Sequence, residues 1–289
     1  MQLSASELIL NADSSIYHLN VLPEDLAHTV IVVGDQNRVP LVSKYFDTLE
    51  LEKGKREFIT HTGTLNGMRI SVVSTGIGTD NIDIVMNELD ALVNIDFKTR
   101  AIKENKTSLD IIRIGTSGGI QPDIELDSFV LSEYAIGFDN VLHFYESEHI
   151  QYPEMQLAFI DHTDWSVYKS IPYVVESDLQ LTEKLRSGRV ILGFTGTNTG
   201  FYGPQGRRLR LLLEDNDLNS KISSFEYQGR KITNMEMETS AIYGLAKLMG
   251  HRAASMNCIL ANRITGEFSK DPAKTIDALI RYTLEKLTS

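Results

Sequence analysis

Short β-branched runs that end in glycine, alternating with segments of helical apolar spacing, constrain this chain most. "TVIVVG" (29–34) is such a run and predicts a strand covered on both faces. "EFITHTGTL" and "MRISVVS", joined by Asn66-Gly67, predict a hairpin with a type I′ turn. From Asn81 onward, Ile82, Val85, Met86, Leu89, Leu92 and Val93 share one helical face. Further strands are predicted over "LDIIRIG" (109–115), "DSFVLSEYAIGF" (127–138), "RVILGFTG" (189–196) and "RAASMNCIL" (252–260). "ETSAIYGLAKLMG" (238–250) predicts a helix stopped by Gly250, and a last helix starts after Asp271 with Pro272 in its first turn. Strand and helix alternate without a linker, repeat or low-complexity tract. The reading is an α/β fold: one domain over 1–289, built on a central mixed, curved sheet flanked by helices. Only 139–176 breaks the pattern, and we expect an insertion or long loop there.

The 289 residues are 42% hydrophobic, enough for a core that needs no disulfide or metal staple. The lone Cys258 cannot form an internal disulfide and reads as a small buried apolar residue, which fits a reducing, cytoplasmic compartment. The N-terminus has no secretory pattern, and no stretch reaches the ~20 apolar residues of a membrane span. A net charge of −11 argues against nucleic acid, whose binding rests on Lys and Arg neutralising phosphates. An anionic ligand would need arginines gathered locally.

In α/β folds, ligands collect outside the carboxyl ends of strands, and four such places carry unusual residues. In "VVGDQNR" (32–38), Gly34 ends a strand and Arg38 stands where a helix starts; it is either an anion site or a plain turn with a surface arginine. In "RIGTSGGI" (113–120), Arg113 lies inside an apolar strand, so it either pairs with a buried carboxylate or joins Thr116 and Ser117 around a phosphate. In "NMEMETS" (234–240), Glu236 and Glu238 flank Met237; one is an acceptor for sugar hydroxyls or simply a first-turn glutamate, and we expect the two side chains to point apart. In "GFYGPQGRRLR" (200–210), Phe201 can stack on a planar ring while Gln205 and Arg207 read its edge, unless the segment is a solvated turn. "STGIGTDN" (74–81) lacks the third glycine of a dinucleotide fingerprint, "HFYESEH" (143–149) fits no metal signature, and "RRLR" (207–210) is too small a basic cluster for a nucleic-acid footprint.

Taken in order, "GDQNR", "REF", "STGIG", "RIGTSGGI", "FYGPQGR" and "NMEMETSA" resemble the nucleoside phosphorylase family, and within it the uridine phosphorylases. The resemblance runs from about residue 16 to 263. It implies reversible phosphorolysis of uridine in pyrimidine salvage, with inorganic phosphate as co-substrate and neither cofactor nor metal. Gly34, Arg38, Arg113 and Thr116 would hold phosphate, joined by Arg56 from a neighbouring subunit. Met237 and Glu238 would contact the ribose, and the neighbour's His18, beside Tyr17, its 5′ end. Phe201, Gln205 and Arg207 would hold uracil, with Ser117 and Gly118 along one side and Arg263 near the base. Arg113, Glu238, Arg207 and Gln205 would carry the catalysis. Asn262-Arg263 stands where purine-specific members place an acid, which argues against purines. Met235 and the "GPQGR" wording depart from the bacterial pattern and leave dimer and hexamer both open. Glu57 and Ile77 match a monovalent-cation contact of some members, but Asn81 replaces its serine, so the ion is left open. The alternatives are a purine or other nucleoside phosphorylase, a nucleosidase, or a non-catalytic nucleoside-binding paralogue.

Overall fold

The computed structural model describes residues 2–289. β1 (Thr29–Val33) leads into α1 (Arg38–Ser43), and β2 (Thr48–Lys55), β3 (Phe58–Leu65) and β4 (Met68–Ser74) form an antiparallel meander. The turn between β3 and β4 has Asn66 and Gly67 both at positive φ, 51° and 79°, as the type I′ geometry demands. α2 (Thr79–Asn94) buries Ile82, Val85, Met86, Leu89 and Leu92. The short pair β5 (Ile95–Asp96) and β6 (Ala101–Ile102) precedes the long strands β7 (Asp110–Gly119) and β8 (Phe129–Gly137). Then come α3 (Pro153–Thr163), β9 (Tyr173–Glu176), α4 (Leu179–Leu185), β10 (Val190–Thr197) and α5 (Leu218–Ser224). β11 (Glu226–Tyr227), β12 (Arg230–Glu236), α6 (Thr239–Met249), β13 (Arg252–Asn262) and α7 (Pro272–Thr288) complete the chain.

Eleven strands make one mixed sheet. Alternate residues of its centre feed two separate cores. Val30, Val32 and Ile111 pack with α2 and α6, whereas Ile31, Val33, Ile112 and Ile114 pack with α1 and α7. This is the period-2 alternation of a strand buried on both faces. The sheet also closes on itself. β7 pairs with β13, β13 with β8, β8 with β10, β10 with β12, and β12 back with β7. The closing contact sets Asn234 and Met235 opposite Gly119 and Gly118. The curvature expected from sequence is thus a closed ring of five strands.

Two expectations are corrected. The segment 139–176 is not a loop throughout: it carries an eleven-residue helix, α3, and a strand, β9, that pairs with β8. Only Met155, Phe159 and Thr163 of α3 are buried, too few to give a readable apolar stripe. "TSGG" (116–119) was expected as a loop after the strand but belongs to β7, because β12 and β13 both bond to it. No described helix is long and apolar enough to cross a membrane.

One buried hydroxyl ties the middle of α6 to two strands of the ring. Tyr243 is buried, donates to the Ser132 carbonyl at 2.6 Å, and accepts from the Ser255 N–H at 2.8 Å. Tyr243→Phe strands both backbone groups away from water, and each unsatisfied buried group costs about 1–3 kcal/mol. We expect a clear fall in the midpoint of thermal unfolding, and an unchanged midpoint would disprove this account of the tie.

Candidate active site

A cavity of about 630 Å³ opens where β1, β4 and β7 end against the β12–α6 junction. Gly34, Arg38, Arg113, Thr116, Ser117, Gly118, Phe201, Gln205, Arg207, Met237 and Glu238 line it, so eleven residues singled out in the sequence meet in one place. Arg56, His18 and Arg263 do not line it.

Arg113 is the centre of the polar end. Its guanidinium is buried; Nη2 lies 2.6 Å from Glu238 and 3.1 Å from Glu236, and Nη1 donates to Asn257 Oδ1 at 2.6 Å. Burial pulls its pKa down, but the two carboxylates more than offset this and hold it above the ordinary arginine value. The glutamates do not point apart. Residues two apart in an extended segment share a face, and both carboxylates converge on Arg113. Glu236 also accepts from the hydroxyl of Thr197 and the N–H groups of Glu238 and Thr239. Burial pushes its pKa up, the Glu238 charge adds to this, and Arg113 opposes it. Glu238 accepts from the Gly78 N–H at 2.9 Å, so the "STGIG" loop holds a carboxylate in place rather than a dinucleotide. Gly76, Ile77, Asn81 and Glu57 line the same wall, and sequence reasoning had given none of them a place in the cavity.

Arg38 is buried, which excludes a surface arginine on a plain turn. Its Nη1 donates to the Ile114 carbonyl at 3.1 Å, and burial, then the Arg113 charge, lowers its pKa. Cys258 sits in the core nearby, and burial pushes its thiol up to about 12, too high for a nucleophile at neutral pH. Ser117 Oγ accepts from Asn234 Nδ2 at 2.9 Å, which leaves the hydroxyl proton free to donate into the cavity.

At the other end the loop "FYGPQGR" folds on itself. The Arg207 guanidinium stacks 3.8 Å from the Phe201 ring centre and donates to Gln205 Oε1 at 2.5 Å and to the Phe201 carbonyl at 2.8 Å. Gln205 is buried, and its Nε2 donates to the Gly200 carbonyl at 3.2 Å. Burial, then the like charge of Arg263, lowers Arg207 to about 10. Arg263 braces this loop from outside the cavity. Its Nη2 donates at 3.4 Å to the carbonyls of Gln205 and Gly206, and its stem packs beside Gly118.

His18 and Arg56 lie elsewhere. His18 Nδ1 is 2.7 Å from Glu88, which also accepts the N–H groups of His18 and Leu19. Lys55 caps the Tyr17 ring, and Arg56 is exposed at the β2–β3 turn with φ 58°. Among the described residues, no three His, Cys, Asp or Glu side chains are grouped to hold a metal ion.

A family model described as the phosphorylase superfamily matches residues 28–283. A uridine phosphorylase of Thermococcus kodakarensis is 32% identical over 262 residues, covering 88% of this chain and 80% of that one. A DeoD-type purine nucleoside phosphorylase of Levilactobacillus brevis is 28% identical over 275 residues, 93% of this chain and 97% of its own. The crystal structure of a Trypanosoma brucei nucleoside phosphorylase, described as showing uridine phosphorylase activity, superposes with a TM-score of 0.88 at 26% identity, covering 97% of this chain and 99% of that one.

The geometry generates one direct test. A Cβ on Gly115 would sit 1.8 Å from Arg113 Nη1, so only glycine lets the guanidinium lie across the strand. Gly115→Ala should displace Arg113 and lower kcat/KM by on the order of 10²-fold or more, the scale of losing one charge-assisted transition-state contact. Near-parental kinetics in a folded Gly115→Ala protein would remove Arg113 from the chemistry.

Proposed function

The chain belongs to the phosphorylase superfamily, and from that premise we propose that it is a uridine phosphorylase, converting uridine and inorganic phosphate reversibly into uracil and ribose 1-phosphate. One observation carries the reading. A single cavity has two buried guanidinium groups at one end, a stacked ring with an amide and a guanidinium at the other, and a pinned carboxylate beside the first. A nucleoside laid along it meets phosphate with its sugar and the loop with its base.

The parts then act as follows. Arg38 and Arg113, with Gly34 and Thr116, hold phosphate against the sugar carbon, so that the displacement is entered from a fixed geometry. Glu238, fixed by Arg113 and the Gly78 N–H, keeps lone pairs for ribose hydroxyls, with Met237 beneath the sugar. The glycosidic bond breaks with oxocarbenium character, phosphate attacks from the opposite face, and no covalent enzyme intermediate is needed. Uracil leaves with its electron pair, and its edge offers acceptor, donor, acceptor. Gln205 keeps a second lone pair on Oε1 for the N3 proton and a second Nε2 hydrogen for O2, while Arg207 donates to O4 as charge builds there. Ser117 and Gly118 flank the base. The reaction as written uses no cofactor and no metal. A buried free thiol is in keeping with a cytoplasmic location.

Purine phosphorolysis is the rival reading, because a purine-specific relative matches with similar coverage. Arg263, which braces the base loop, stands where the family resemblance puts the acid of purine-specific members, and this favours uridine. A nucleosidase would have no use for paired guanidinium groups aimed at a neutral water, and a non-catalytic paralogue would not need Glu238 pinned from two sides.

The site is proposed to be shared between subunits of a homo-oligomer, with a dimer as the minimal unit. Arg38, Arg113 and Arg207 face Asp35, Glu57, Glu236 and Glu238, so the lining of one chain carries no excess positive charge for an anion. Arg56, exposed and outside its own cavity, is the cation that a partner would supply, and His18 near Phe58 would follow it.

Two experiments test this. Release of base from uridine, cytidine and inosine should be assayed with and without phosphate, in the parent and in Arg207→Ala. Cytosine lacks the N3 proton and presents an amino group to Arg207, and such unpaired buried groups can reject a ligand by ~10⁴. We expect phosphate-dependent release from uridine, little from cytidine, and a smaller gap between the two in Arg207→Ala; phosphate-independent release, or comparable parental rates, rejects the reading. Separately, Arg56→Ala and Glu238→Ala, each inactive, should regain activity when co-assembled, because one hybrid site then holds both intact residues. Verified mixed oligomers that stay inactive would place Arg56 outside the site.

A further inference from the structure

Arg113 needs an acceptor on each side of its guanidinium, and two of the three it has are carboxylates. The third is the side-chain amide of Asn257, on the adjacent strand β13, fully buried and 2.6 Å from Nη1. The amide cannot turn over. Its Nδ2 donates to the hydroxyls of Ser132 at 3.3 Å and Ser255 at 3.2 Å, and reversal would set N–H groups against the N–H groups of the guanidinium. Glu236 and Glu238 both lie on Nη2, so without Asn257 they hold one corner of the group and leave its plane free to swing. With it, three acceptors fix the plane, and at least two of the five guanidinium N–H groups remain for an anion.

The amide is also neutral, and that is the property the site requires. A buried arginine is ordinarily matched by carboxylates. A third one here would set Glu236, Glu238 and itself against Arg113 and Arg38, leaving excess negative charge where phosphate must bind. We infer that Asn257 is a positioning residue that aims Arg113 at phosphate with a hydrogen bond that adds no charge. Glu238 and Glu236 anchor the same guanidinium from the sugar side, the Tyr243 phenol adds to its field, and Arg38 is its cationic neighbour. The inference rests on the phosphorolysis reading, since it takes the anion to be phosphate.

The test uses the full-length protein and two substitutions that separate geometry from charge. Asn257→Asp keeps an acceptor at the same place and adds a charge; Asn257→Ala removes the acceptor and adds none. Binding of inorganic phosphate is measured by calorimetry, and KM for phosphate, KM for uridine and kcat by phosphorolysis, with thermal unfolding as a check on folding. Asn257→Ala is expected to weaken phosphate by about threefold or more, and Asn257→Asp by about tenfold or more, with KM for uridine within about twofold in both. A role limited to hydrogen bonding predicts the reverse order, with the aspartate milder than the alanine, and that result overturns the inference. So do unchanged phosphate affinity in either folded variant and equal losses for both substrates. Should Asn257→Asp not fold, Asn257→Ala decides through the split between phosphate and uridine. A parent that binds phosphate but turns over no nucleoside rejects the phosphorolysis reading while leaving the binding comparison valid; a parent that binds no phosphate rejects both.

Discussion

A buried guanidinium in the middle of an apolar strand is the constraint around which this molecule is arranged. Arg113 stands between Ile112 and Ile114, both fully buried. Leaving such a charge unpaired in a low-dielectric interior is prohibitive, whereas a paired one is roughly neutral for stability. The pairing groups are distant in sequence. Glu236 and Glu238 come from the end of β12, and Asn257 from β13. The glutamates reach Arg113 because β12, paired with β10 on one side, bonds to β7 on the other and closes the ring of five strands, and Asn257 reaches it because β13 lies directly beside β7. The same closure draws Ser117, Gly118 and Met235 to one rim. Fold and site are therefore one event: a chain that failed to close the ring would leave both an unpaired charge and an unformed cavity.

Pairing has a second consequence. Carboxylates strong enough to hold Arg113 buried also cancel the charge that an anion would seek. Within one chain the cavity presents Arg38, Arg113 and Arg207 against Asp35, Glu57, Glu236 and Glu238. In a protein of net charge −11, long-range attraction does not make up the difference. Any anion must be recognised at short range, by N–H groups aimed with little freedom. This is why the orientation of Arg113, and not merely its presence, matters, and why a neutral amide rather than another carboxylate completes its surroundings.

Much of this arrangement was legible in the chain. Short apolar runs placed β1, β7, β8, β10 and β13, apolar spacing at the helical period placed α2 and α6, and Pro272 marked the start of α7. The ordered short motifs placed eleven cavity residues. What could not be read depended on partners far away in sequence. "TSGG" looks like a turn until two strands bond to it. α3 shows little apolar periodicity, and the edge strand β2 is mostly exposed and charged. Glu236 was passed over in favour of Glu238, although an i, i+2 pair in an extended segment shares a face and should have been kept together. Asn257 gave no signal, since a lone asparagine in an apolar run carries no motif; only the pairing of β13 with β7 gives it a meaning.

The end of the cavity formed by the "FYGPQGR" loop shows the same preference for fixed polar groups. A glycine at φ 67° gives an exposed loop conformational freedom of its own. Here Gly206 turns the chain so that Arg207 doubles back onto Phe201 and Gln205, while Asn219 donates to the Gln205 carbonyl and Arg263 to those of Gln205 and Gly206. Each contact satisfies a group of the loop itself. None uses both lone pairs of Gln205 Oε1 or both hydrogens of Nε2. The amide is therefore held in one orientation by the loop itself. Turning it over would set its hydrogens against Arg207 and its oxygen against the Gly200 carbonyl, two repulsions in place of two bonds. A flexible amide could follow either pattern of donors and acceptors on an incoming ring. One clamped in this way presents a single pattern, and the ring must match it.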